Sequence, residues 1–123
     1  MKLHLAQSGA ANLITAYGEG YVDINKQRHE RSLVVMPGSL WTDWPASTFE
    51  SLSAADLLSL ADLEQEIILL GTGKKLRFPR ADLLRPLQQA GVGLEIMDLP
   101  AACRTYNILV AEERKVAAAL LFS

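Results

Sequence analysis

The run Val-Ala-Ala-Ala-Leu-Leu-Phe at residues 116–122 carries no polar side chain. It is far shorter than the roughly 20 residues that span a bilayer. It reads instead as a strand inside a sheet rather than at its edge, because both of its faces need cover. Ile67-Ile68-Leu69-Leu70, ended by Gly71-Thr72-Gly73, reads the same way. Two strands without a polar face place helices or further chain on both sides of one sheet, and that governs how the segments between them are read.

Ser53 is a good N-cap with Asp56 three residues on, and Leu57, Leu58, Leu60, Ala61 and Leu63 follow at helical spacing, so a helix is predicted over 54–62. After Pro79, residues 80–90 read as a helix that contains Pro86. Proline inside a helix removes a hydrogen bond and clashes one turn back, so either a kink occurs or the helix proper starts near Arg85. Gly91 and Gly93 end it, Leu94-Glu95-Ile96-Met97 is the next strand, and Pro100 opens a helix through about Glu112. Upstream, Tyr21, Asp23 and Asn25 alternate with Val22 and Ile24, and the chain resumes at Ser32-Leu33-Val34-Val35-Met36, which predicts a hairpin. Residues 39–50, with Trp41, Trp44, Pro45 and Phe49, read as a loop anchored onto the core rather than an exposed partner patch. Residues 1–15 show no clean period and form a segment of uncertain structure over an edge of the core.

A hairpin followed by strand-helix-strand-helix-strand implies an α/β fold with a mixed sheet and helices packed on it. With 123 residues, one domain over 1–123 is expected. Parallel strands ending at Leu70 and Met97 bring the loops 71–75 and 98–102 to one sheet edge, where open α/β sheets bind ligands.

A net charge of −2 and a pI near 5.6 supply no positive field for a phosphate backbone, so nucleic acid is not expected as a partner. The one cysteine, Cys103, has no intramolecular partner, and nothing near Met1 resembles a signal peptide, so a reducing, cytoplasmic setting is expected. Two histidines far apart in sequence and no clustered Cys or carboxylates give no metal, and no cofactor is implied. Exposed edges of a mixed sheet make a homodimer the oligomer to test for.

Gly71-Thr72-Gly73-Lys74-Lys75 invites comparison with a phosphate loop. The detail fails: a dinucleotide fingerprint needs a third glycine where Leu76 stands, and the Walker pattern needs four residues between its glycines and a hydroxyl after its lysine. A tight turn with a solvated basic run is the favoured reading, with generic anion binding by Lys74, Lys75 and Arg77 beside it. Cys103 sits in the first turn of its helix next to Arg104, where dipole and guanidinium favour thiolate, yet neither His4 nor His29 is near in sequence, and a small buried cysteine is favoured. Ala102, Tyr106, Leu109 and Val110 share one helical stripe and should face the sheet. Arg104, Thr105 and Asn107 are harder to explain as packing. Arg104 is placed to fork onto a carboxylate or phosphate, or to make a structural contact with Asp98 or Glu95. Asp98 reads as a helix cap before a general base. The candidate pocket, for ligand or partner, is therefore Gly71, Thr72, Gly73, Lys74, Asp98, Cys103, Arg104 and Asn107.

Taken together, the hairpin, the Gly71-Thr72-Gly73 turn, Leu76-Arg77-Phe78-Pro79, and the strand at 94–97 followed by Ala102-Cys103-Arg104-Thr105-Tyr106-Asn107 resemble a known family. It is the small domain-of-unknown-function family that includes mitochondrial NADH dehydrogenase (complex I) assembly factor 3 and the adipogenesis-associated domain-containing proteins. The resemblance covers nearly the whole chain after about residue 13. It implies a three-layer α/β fold with a mixed central sheet, brings no catalytic residues to transfer, and points to a protein partner, such as a respiratory complex in assembly. The chain lacks a recognisable transit peptide, so a bacterial-type homologue is expected. Three functions are thus open: a protein-binding or assembly-type factor without established catalysis, a protein that binds a small anionic molecule between the 71–73 turn and the helix start at 101–104, and thiol chemistry at Cys103.

Overall fold

The computed structural model describes residues 11–122. The strands are β1 (Ile14–Gly18), β2 (Tyr21–Ile24), β3 (Gln27–His29), β4 (Leu33–Met36), β5 (Ser39–Trp41), β6 (Ile67–Thr72), β7 (Glu95–Met97) and β8 (Val116–Leu121). The helices are α1 (Ala54–Leu58), which tightens into a 3-10 turn (Ser59–Leu63), α2 (Ala81–Gln89) and α3 (Leu99–Ala111). Five strands form a mixed sheet in the order β5-β4-β8-β6-β7, and β1-β2-β3 form a small antiparallel sheet.

The apolar run at 116–122 lies where its composition requires. β8 pairs parallel with β6 on one side and antiparallel with β4 on the other, and every residue from Val116 to Leu121 is buried. Its side chains alternate between two cores. Val116, Ala118 and Leu120 join Leu33, Val35 and Leu69 beneath α3 and the small sheet, while Ala117, Ala119 and Leu121 join Val34, Ile68 and Leu70 beneath α1, the 3-10 turn and α2. The three layers therefore follow from the period-two exposure of doubly apolar strands. Ala102 and Tyr106 of α3 are buried against the sheet with Leu109 and Val110 packed beside them, as the helical stripe requires.

Some local readings change. The hairpin from β2 returns through β3, not through the strand at 33–36, because Asn25 and Lys26 both adopt positive φ (50° and 70°) and close a two-residue turn directly. Residues 33–36 cross instead to the large sheet. A strand, β1, occupies part of the segment given no period; its register slips between Ile14 and Ala16, a bulge that hides the alternation. Ser39–Trp41 is an edge strand within the presumed loop, while Trp44 is buried as an anchor, its Nε1 lying 3.2 Å from both the Asp56 carbonyl and Ser59 Oγ. Pro86 lies inside α2, which begins at Ala81, so the helix does not wait for residue 85. The expectation for residues 1–10 lies outside the described residues.

Candidate functional site

β6 and β7 run parallel with Gly71 opposite Met97, so the turns that follow them do meet at one sheet edge. They meet by bonding to each other. The Leu99 N–H donates to the Gly73 carbonyl at 2.7 Å, and Thr72 Oγ1 donates to the Lys75 carbonyl at 2.7 Å with the Met97 carbonyl 3.2 Å away. Thr72 Oγ1 also accepts from the Arg77 N–H at 3.1 Å. Gly71 is a packing residue: a Cβ there would lie 3.1 Å from both Ala102 Cβ and Leu120 Cδ2. Gly73 turns the chain at φ +93°.

A helix start can hold an anion only if its N–H groups are free. At α3 they are engaged. Leu99 bonds Gly73, Pro100 has no N–H, the Ala101 N–H donates to Asp98 Oδ1 at 2.9 Å, and the Ala102 N–H donates to the Asp98 carbonyl at 3.0 Å. Asp98 is thus a cap, and its carboxylate occupies the place an anionic ligand would take.

The polar run on α3 points elsewhere. Asn107 clamps the start of β1, with Oδ1 accepting from the Ile14 N–H at 3.0 Å and Nδ2 donating to the Ile14 carbonyl at 2.8 Å. Tyr106, fully buried, donates its hydroxyl to the Asn12 carbonyl at 2.9 Å. Arg104 donates to the Tyr17 hydroxyl at 3.1 Å, so neither carboxylate proposed for it is its hydrogen-bond partner. These three side chains reach the N-terminal strand region, while Gly71, Thr72, Gly73 and Asp98 stitch the sheet edge. Six of the eight candidate residues therefore divide into two structural sets, while Cys103 lies in the core and Lys74 is left exposed. Cys103 is 1 % exposed within the α3 core; burial pushes its thiol up to about 12 despite the opposing pull of Arg104, so the thiolate chemistry considered for it has neither access nor ionisation at neutral pH.

Two features escaped the sequence. Asn12 is a hub: its Nδ2 donates to the Met36 and Ser39 carbonyls, and its Oδ1 accepts from Asn25. No pattern in the sequence marks it, since its partners lie in three other segments. The second is the segment 74–79. Arg77 turns inward, bonding the Thr72 carbonyl at 2.9 Å and Glu50 at 2.7 Å with its guanidinium 4.4 Å from the Phe49 ring centroid. Its neighbours turn outward, leaving Leu76 51 % and Phe78 66 % exposed. Alternation of Leu76, Arg77 and Phe78 before Pro79 was the available signal. Among the described residues no group of three His, Cys, Asp or Glu side chains is placed to hold a metal.

The family model described as "Protein of unknown function (DUF498/DUF598)" matches residues 14–121, all of both sheets. The chain belongs to this family. Separately, the curated zebrafish (Danio rerio) protein named NADH dehydrogenase [ubiquinone] 1 alpha subcomplex assembly factor 3 is 29 % identical over 117 residues, 94 % of this chain and 67 % of that protein. The human protein of the same name is 27 % identical, again over 94 % of this chain but 63 % of its own length. The chain thus spans about two thirds of the length of these curated relatives. A crystal structure from Bordetella parapertussis superimposes with a TM-score of 0.83 at 40 % identity, covering 93 % of this chain and 98 % of that one. Both curated relatives are named as assembly factors, and in this chain the polar run at 104–107 ties α3 to the N-terminal strand region.

Proposed function

We propose that this chain is a protein-binding factor of the assembly type and that residues 74–79 form its contact surface. One observation carries the reading: Leu76 and Phe78 remain exposed on a segment that Thr72 and Arg77 hold in place. Burying such side chains contributes about 1.5–3 kcal/mol each, and the fold leaves both unburied. Interface centres favour aromatic anchors presented on ordered backbone with a polar rim, here supplied by Lys74, Lys75 and Arg80. The name borne by the curated relatives supports a partner from an NADH dehydrogenase in assembly. The reading assigns no catalysis to the chain.

The test is capture from native extract with reciprocal tagging, run in parallel on wild type and on Leu76→Ser/Phe78→Ser. The expected result is a partner retained by wild type, recovered again when the partner carries the tag, and lost with the double variant although that variant melts like wild type. Identical captured sets from both would refute the assignment of the surface. We place the chain in the cytoplasm on the ground of its single, buried and unpaired cysteine, which suits a reducing compartment. Fractionation checks this, with recovery in the membrane pellet after a high-salt wash as the contrary result.

A further inference from the structure

We propose that the cleft between the β1–β2 turn and the start of α3 binds a small monocarboxylate with an apolar body. The cleft has a volume of about 270 Å³ and is walled by the 18–20 turn, Tyr17, Lys74, Leu99, Pro100 and Phe122. It lies where three parallel strands end: Lys74 comes two residues after β6, Leu99 two after β7, and Phe122 directly after β8. The chain leaves β6 toward α2 on one face of the sheet and leaves β7 toward α3 on the other. Such a reversal opens a crevice outside the carboxyl ends of the strands, the place where open α/β sheets take ligands.

The class of ligand follows from the wall. Leu99, Pro100, Phe122 and Tyr17 make it mainly apolar, and its size falls just below the roughly 300–1,000 Å³ usual for small-molecule sites, which suits one ring or a short chain. Two donors face it. Lys74 is exposed and enters none of the ion pairs among the described residues. The Tyr17 hydroxyl accepts from Arg104 at 3.1 Å, which leaves its own proton free to donate and draws electron density from its oxygen. A carboxylate can accept from both. Glu19 on the turn repels any anion and a dianion about twice as strongly, and the engaged N–H groups of α3 add no further donors to satisfy a phosphate's extra oxygens. The site thus selects a single carboxylate over a dianion. It shares Lys74 with the rim of the contact surface at residues 74–79, so Tyr17→Phe, outside that surface, and Leu76→Ser/Phe78→Ser, outside the cleft wall, separate the failure of one reading from that of the other.

The experiment is an amide-resolved NMR titration of the full chain with phenylpropionate, and with phenylpropanamide and inorganic phosphate as comparison probes. Saturable shifts are expected at Gly18, Gly20, Lys74 and Leu99 with phenylpropionate, and affinity about tenfold weaker for the uncharged amide, the size of a lost charge-assisted hydrogen bond. Lys74→Gln and Tyr17→Phe should each weaken phenylpropionate by about tenfold as well, while Lys115→Gln, exposed and outside both the cleft wall and residues 74–79, should bind as wild type. Both substitutions are at exposed positions, and retained spectral dispersion verifies the fold. Equal affinity for acid and amide, tighter binding of phosphate, or the absence of saturable shifts in the cleft would each overturn the proposal.

Discussion

Replacing Asn107 with alanine deletes both hydrogen bonds that hold Ile14 against α3, 3.0 Å to its N–H and 2.8 Å to its carbonyl. A net hydrogen bond contributes about 1 kcal/mol, whereas a polar group left unpaired away from water costs about 1–3 kcal/mol. The Ile14 side chain is buried and the clamp is part-buried, so water reaches the freed groups incompletely. The expected destabilisation is therefore about 3 kcal/mol, between two fully hydrated and two fully orphaned groups. Against the roughly 5–15 kcal/mol that holds a domain together, this is a large share, and it should lower the melting temperature by about 10 °C. Urea unfolding with an unchanged slope gives the free energy, and hydrogen exchange at the Ile14 amide locates it. Asn107→Asp sharpens the case. Its carboxylate still accepts from the Ile14 N–H but sets a second acceptor against the Ile14 carbonyl, so the loss should match or exceed that of alanine at neutral pH. It should shrink on acidification, when the protonated carboxyl can donate. A change below about 0.5 kcal/mol, with Ile14 exchange unaltered, would refute the clamp.

The glycines should rank by space and by φ when changed to alanine. Gly71, where a Cβ meets Ala102 and Leu120 at 3.1 Å, should lose about 1–3 kcal/mol to overpacking, whereas Gly93, with open space and no positive φ, should be neutral or gain a few tenths, read by urea unfolding. The Cys103 thiol, raised by burial from 9.0 to about 12, stays protonated in the fold after the unfolded chain has ionised. Its contribution is full below pH 9.0 and is lost as pH climbs toward 12, with a slope of up to about 1.4 kcal/mol per unit that Cys103→Ala should flatten. Tyr106, also raised by burial, adds a second decline above its ordinary value of 10.0. Alkylating reagents should leave native Cys103 unmodified at neutral pH.

The layers were legible because they follow from periodicity. Val116–Leu121 and Ile67–Thr72 have no polar face, and α3 has one apolar stripe, so each announces how many sides it buries. β1 was not, since a bulge near Thr15 breaks its alternation, and the β2–β3 turn uses Asn25-Lys26, which lacks the glycine that usually marks such turns. The meeting of the two sheet-edge turns followed from parallel pairing. That Asp98 caps α3 was legible, being local; that the Gly73 carbonyl takes the Leu99 N–H was not, because it is a matter of ångströms between segments about 25 residues apart. Of the residues read as hard to explain by packing, Asn107 bonds the Ile14 backbone and Arg104 the Tyr17 hydroxyl, and a one-dimensional reading cannot distinguish such bonds across elements from work on a ligand.

This has a consequence for where activity can reside. A small sheet of three short strands would be marginal alone, and it is held to the larger unit by Tyr106 on Asn12, Asn107 on Ile14 and Arg104 on Tyr17. The first two bonds are buried or part-buried and are made to backbone, so substitution there should cost stability whatever the protein binds. Arg104 differs, being exposed and bonded to a hydroxyl that lines a cleft. Function is therefore to be sought at groups the fold does not engage: Lys74 and the Tyr17 proton at the cleft, and Leu76 and Phe78 on the exposed segment that follows Lys75. Variants at those four positions should alter binding at constant melting temperature, whereas variants at Asn12, Tyr106 and Asn107 should do the reverse.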